Sequence, residues 1–321
     1  MTYAPSPSPD GNRKTAVKAI SGALGCGLII LLTNLAVSYG YGLLYNRYLL
    51  DTSETVQALF DILVYLVLLF PGILFLLLFF RKERKTKMTG LPLVPRLPFL
   101  FIPMAIGAGY LTSILTDSWF GSFFEKFSQQ TSVETFYTEP VPVLLYFISI
   151  VVLPAFLEEY LYRGLLLKNL LPIGKTAAVI LSAGIFALSH PSLSQSAFAF
   201  AVGIPLGIAF AETGSIWFGV IIHALTNLIS FAIGYWGFVW PQEWLTDNLY
   251  GVMVFLLVHA FLAGVFVYSL LRMFSRRRAL KEGRPEAFRA GSGNVGKIFS
   301  NPLFYLWIAV YIALLFIYYR R

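Results

Sequence analysis

Val56-Gln-Ala-Leu-Phe-Asp-Ile-Leu-Val-Tyr-Leu-Val-Leu-Leu-Phe-Pro-Gly-Ile-Leu-Phe-Leu-Leu-Leu-Phe-Phe80 is one unbroken apolar run almost without charge. About 20 residues at about 1.5 Å each cross roughly 30 Å of hydrocarbon, so this run is long enough to span a bilayer. Further runs of the same kind predict spans at 19–44, 97–115, 141–170, 175–190, 196–211, 215–236, 248–271 and 301–319. A chain in lipid must satisfy its backbone internally. Long continuous runs, rather than ten-residue alternations, select helices over barrel strands. The expected fold is therefore all-α, a polytopic transmembrane helical bundle of eight to nine spans.

Composition agrees. The 321 residues are 57% hydrophobic and 12% charged, with a mean hydropathy of +0.72, whereas soluble domains are near a quarter charged. Cys26 is the one cysteine, so no intramolecular disulfide can form, and its place in an apolar run reads as a small buried hydrophobe. The first dozen residues are polar and the run after them is too long for a signal-peptide core, which predicts a retained first span.

Basic residues orient the chain, because cytoplasmic loops collect Lys and Arg. With the N-terminus inside, only Arg47, Lys126, Arg320 and Arg321 of the 24 fall outside. The loop 116–140, with four acids against Lys126, falls outside as well. The expected location is the cell membrane, multi-pass, with a cytoplasmic N-terminus. The net charge of +8 then reflects topology and anionic lipid at the basic cytoplasmic loops, and argues for no nucleic acid partner. The organisation expected is a polar tail at 1–18, two helices and a basic loop over 19–96, a core at 97–236, an outer loop and eighth helix over 237–274, and a basic linker with a final helix over 275–321.

Ionisable residues inside a span are costly enough to need a partner or a purpose. Glu159 and Arg163 stand four apart in the fourth span, acid first, the favourable order for a helical ion pair. Glu158 lies about 100° around the helix from Glu159, so the two carboxylates are not expected to share one partner in the same way. Glu159 and Arg163 are assigned to structure, Glu158 to chemistry. If the fourth and fifth spans form a hairpin about Pro172-Ile173-Gly174, Glu158 and His190 lie at one height, with Phe186 walling that face one turn before His190. His223 and Asn227, four apart in the seventh span, share a face at mid-membrane. His259 alone in its span reads as an interhelical hydrogen bond. Ser189 would point away from His190, so no serine nucleophile has a setting.

Glu158-Glu159-x-x-x-Arg163, Phe186-x-x-x-His190 and His223-x-x-x-Asn227, in that order, resemble the CAAX protease and bacteriocin-processing family of intramembrane endopeptidases, also called Abi. The setting from Gly214 to Asn227 is similar too, and the resemblance extends over 97–236. It implies peptide-bond hydrolysis on a membrane-associated peptide or protein, with Glu158 and His190 activating water and His223 and Asn227 holding the oxyanion. No metal or other cofactor is implied. The alternative is a zinc-dependent intramembrane metalloprotease with Glu158, His190 and His223 as ligands, against which stands the lack of His-Glu-x-x-His. A proton- or ion-coupled transporter, or an inactive scaffold or immunity protein, is the reading from another class; no internal repeat supports a transporter.

The charge bias predicts that cysteines introduced at positions 84 and 126 react with a membrane-impermeant maleimide from opposite faces of sealed vesicles. Labelling from one face would overturn the topology.

Overall fold

A computed structural model describes residues 9–81, 101–114, 116, 137–190, 192–239, 296–319 and isolated positions between Met253 and Leu271. The described residues form helices and no strands: α1 (Pro9–Leu44), α2 (Glu54–Phe79), α3 (Phe101–Ile114), α4 (Pro140–Ile173), α5 (Lys175–Leu188), α6 (Leu193–Thr213), α7 (Ile216–Val239) and α8 (Pro302–Tyr319). Each span expected in these regions is present, as an all-α membrane bundle. The expected eighth span at 248–271, with His259, and most of the linker at 275–300 lie outside the described residues. Among the described residues α1, α2, α4 and α6 are long and apolar enough to cross a membrane, whereas α3, α5, α7 and α8 carry shorter apolar stretches.

The helix ends follow local chemistry. α1 continues through the widened π turn Tyr45–Leu49, where Leu50 donates its N–H to the Tyr45 carbonyl. Gln57 on α2 caps that turn by donating to the Leu49 carbonyl at 3.1 Å. α4 and α5 meet at Gly174 (φ 107°), and α6 and α7 at Gly214 (φ 71°), both backbone values that a side chain would strain. Ser192 starts α6 by accepting the Gln195 N–H.

Close approach of small residues sets the packing, as expected where lipid supplies no hydrophobic contrast. A methyl at Gly72 of α2 would touch Ile30 and Cys26 of α1, and one at Gly207 of α6 would touch Val179 of α5. Trp307 of α8 lies on Gly27 of α1. One large core joins α1, α2, α4, α5, α6 and α8, while α3 builds a second with α6 and α7 through Phe101, Met104, Ala105, Leu206 and Ile222.

α4 is the centre of this arrangement and is not a uniform α-helix. It widens into π-helix over Ile148–Val152 and again over Glu159–Leu167. Such insertions are frequent at functional sites because the extra residue per turn re-aims side chains. The α4–α5 hairpin has the anticipated register: the Tyr162 ring packs on Phe186 at 5.0 Å, and Ser182 donates to the Tyr162 carbonyl at 3.1 Å.

Candidate active site

Glu159 and Arg163 are the most deeply buried charges described, 0% and 1% exposed. The Arg163 guanidinium donates to Glu159 Oε1 at 2.7 Å and to the Gly203 carbonyl of α6 at 3.3 Å, and lies over the Phe186 ring at 4.7 Å. The expected ion pair is present. Its burial carries a desolvation cost that the pair alone does not offset, and the cation–π contact and the Gly203 carbonyl supply further compensation.

His223 of α7 faces both glutamates. Its Nδ1 lies 3.0 Å from Glu159 Oε1, and its Nε2 lies 3.8 Å from Glu158 Oε2. A carboxylate oxygen only accepts, so Nδ1–H is the donor to Glu159. The adjacent acids were expected not to share one partner in the same way, and they meet His223 differently, Glu159 by a hydrogen bond and Glu158 at a longer distance. An imidazole presents two nitrogens on separate edges, so carboxylates that diverge around α4 can each face one. Glu159 thus holds both Arg163 and His223.

Glu158 is buried, and its Oε1 accepts the Tyr65 hydroxyl of α2 at 2.9 Å. No hydrogen bond joins it to His190. The hairpin register puts the two at one height, but Glu158 turns toward α2 and α7. His190 instead ends α5, where Nδ1–H donates to the Phe186 carbonyl at 3.0 Å, with the Ala187 carbonyl at 3.3 Å. This fixes the tautomer in the neutral ring and leaves Nε2 as its acceptor. His190 stays with the cluster through Phe186, whose ring meets it edge-on at 5.2 Å and meets His223 at 5.9 Å.

Asn227 stands apart. One turn beyond His223, it donates Nδ2–H to the Ile150 carbonyl at 2.9 Å, and Ile150 is roughly 12 Å up α4 from Glu158. Its amide ties α7 to the first π segment and touches neither glutamate.

Glu159 Oε2 and Arg163 Nε, buried in the turn Glu159–Arg163, have no hydrogen-bond partner among the described residues. Among the described residues no three His, Cys, Asp or Glu side chains converge as a metal-binding set. Tyr65 also touches Glu158, and sequence reasoning missed it because a lone tyrosine in an apolar span carries no spacing that names its partner.

Two substitutions test the cluster. Glu159→Gln leaves Arg163 without its counter-charge and should cost about 3–5 kcal/mol of folding free energy, read as a lowered Tm of the purified protein. Gly219→Ala drives a methyl into Glu159 Oε2 and should cost about 1–3 kcal/mol. Wild-type Tm in both would show that the pair is not under this constraint.

Residues 140–229 match the family model described as type II CAAX prenyl endopeptidase Rce1-like. No curated protein and no solved structure matches the chain. The matched segment runs from the start of α4 into α7, is narrower than the 97–236 expected, and contains Glu158, Glu159, Arg163, His190, His223 and Asn227. On that segment, with its buried acids and imidazoles inside an all-helical membrane bundle, the chain matches the CAAX protease family.

Proposed function

We propose that the protein is an intramembrane endopeptidase of the metal-free glutamic type, with Glu158 as general base. The observation that carries this reading is the buried constellation in which Glu158 and Glu159 flank His223, with Arg163 holding Glu159. Glu158 takes a proton from a water as its oxygen bonds to the scissile carbonyl carbon. The tetrahedral intermediate collapses, the C–N bond breaks, and the proton passes from Glu158 to the leaving nitrogen. His190 Nε2, held as an acceptor by the α5 carbonyls, helps orient that water.

His223 serves as the oxyanion donor through Nε2, in line with Glu158 Oε2. In that role Nδ1–H binds Glu159 while Nε2 faces the reaction. Asn227 joins as second donor by giving up the Ile150 carbonyl when substrate binds. Such donors contribute a few kcal/mol each, because they act where charge develops.

The substrate is a membrane-associated peptide, and the family description makes a prenylated C-terminal peptide the first probe. We assign the N-terminus and the basic loops to the cytoplasmic side, against anionic lipid.

Glu158→Gln keeps shape and removes the base, so in proteoliposomes with an internally quenched prenylated peptide it should abolish cleavage while leaving Tm near wild type. Comparative proteomics of membranes holding either form should show peptides cut only by wild type. Asn227→Ala should lower kcat about a hundredfold with KM little changed. Cleavage should survive strong chelators. Loss of activity with chelator and its return with zinc would revive the metalloprotease, and full activity of Glu158→Gln would return the transporter or scaffold readings to the front.

A further inference from the structure

We propose that Tyr65, on α2 and outside the matched segment, is a positioning residue for Glu158 and that α2 is part of the working active site. This rests on the endopeptidase reading above and deepens it. Tyr65 donates its hydroxyl to Glu158 Oε1 at 2.9 Å, which leaves Oε2 turned toward His223 Nε2. The base therefore has one oxygen held and one aimed at the reaction.

The rest of α2 explains why this contact is rigid. Its outward face is apolar, with Leu59, Leu63, Leu66, Val67 and Phe70 exposed. Its polar residues Glu54, Asp61 and Tyr65 are spaced by seven and four, so they share one face. Each of the three engages α4 or the segment leading into it. Glu54 accepts the N–H groups of Thr138 and Glu139 and the Thr138 hydroxyl, at 3.0–3.3 Å. Asp61 accepts the hydroxyls of Tyr137 at 2.9 Å and of Tyr41 at 3.0 Å. Tyr65 completes the row at Glu158. Three polar contacts along about 11 residues, or roughly 16 Å of helix, lock the axial register of α2 against α4. A phenol has two side-chain torsions, so its oxygen is then fixed in space, and with it the carboxylate that it binds.

A merely structural tyrosine could be replaced by phenylalanine with a stability change and nothing else. Positioning gives a different signature. In full-length protein in proteoliposomes with the quenched prenylated peptide, Tyr65→Phe should lower kcat about ten- to a hundredfold, with KM within about twofold and Tm near wild type. Tyr41→Phe, which removes a hydroxyl from the Asp61 end of the same row, should keep wild-type kcat. Without any substrate, the infrared difference between wild type and Glu158→Gln isolates the Glu158 carboxyl band, and Tyr65→Phe should displace that band while Tyr41→Phe leaves it in place. Site-specific 3-fluorotyrosine at position 65 keeps the shape and strengthens the donor, so it should displace the band even if Tyr65→Phe folds poorly. Wild-type kcat in Tyr65→Phe, or a Glu158 band indifferent to both changes at position 65, overturns the proposal. If wild type leaves the peptide uncut, that substrate reading fails, and the infrared measurement still decides whether Tyr65 holds Glu158.

Discussion

The ion pair between Glu159 and Arg163, sealed in the middle of the bundle, is the constraint on which the rest of this structure depends. Two charges without water need every surrounding group to be chosen for them. Phe186 lies under the guanidinium, Gly203 lends its carbonyl, Gly219 leaves room for the carboxylate, and His223 donates to the oxygen that Arg163 already holds. Three helices, α5, α6 and α7, are thereby drawn to one point on α4. A buried pair is weak evidence for stability and better evidence for specificity of arrangement. Here the arrangement it specifies is the orientation of an imidazole beside a second carboxylate.

The two adjacent glutamates divide the work by depth and by partner. Glu159 commits one oxygen to Arg163 and His223 together. Glu158 is held at one oxygen by a neutral phenol and faces His223 at 3.8 Å, beyond hydrogen-bond range. The π-helical turns of α4 contribute by widening the backbone where these side chains diverge. α5 adds an imidazole whose tautomer is set by the carbonyls of its own helix end.

Family resemblance and working unit differ in extent. The matched segment, 140–229, holds the acids and imidazoles, but the register of α4 is set from outside it. α2 binds α4 at Glu158 and the segment leading into it at residues 137–139, Asn34 of α1 donates to the Ser189 carbonyl beside His190 at 2.7 Å, and Tyr311 of α8 shares a hydrogen bond with Ser196 just beyond it. Preorganised chemistry needs such support, since a shift of one ångström at a reacting group is costly.

The helical bundle was legible in the sequence because lipid imposes a length and a polarity that show in any apolar run, and the spans at 56–80, 141–170 and 301–319 needed no tertiary information. The Glu159–Arg163 pair was legible because a spacing of four puts two residues on one face whatever surrounds the helix. The hairpin register was legible from the Gly174 turn and helical rise, which give height. Azimuth is another matter. Whether Glu158 turns toward His190 or toward Tyr65 depends on how α4 rotates within the bundle, and the π segments that set this rotation leave no mark in an apolar sequence. Asn227 illustrates the same limit, since its spacing from His223 predicted a shared face but could not reveal that its amide is engaged by the Ile150 carbonyl. Tyr65 was decided by tertiary structure alone: its partner lies 93 residues away on another helix, and only packing could bring a phenol among leucines to the one carboxylate it holds.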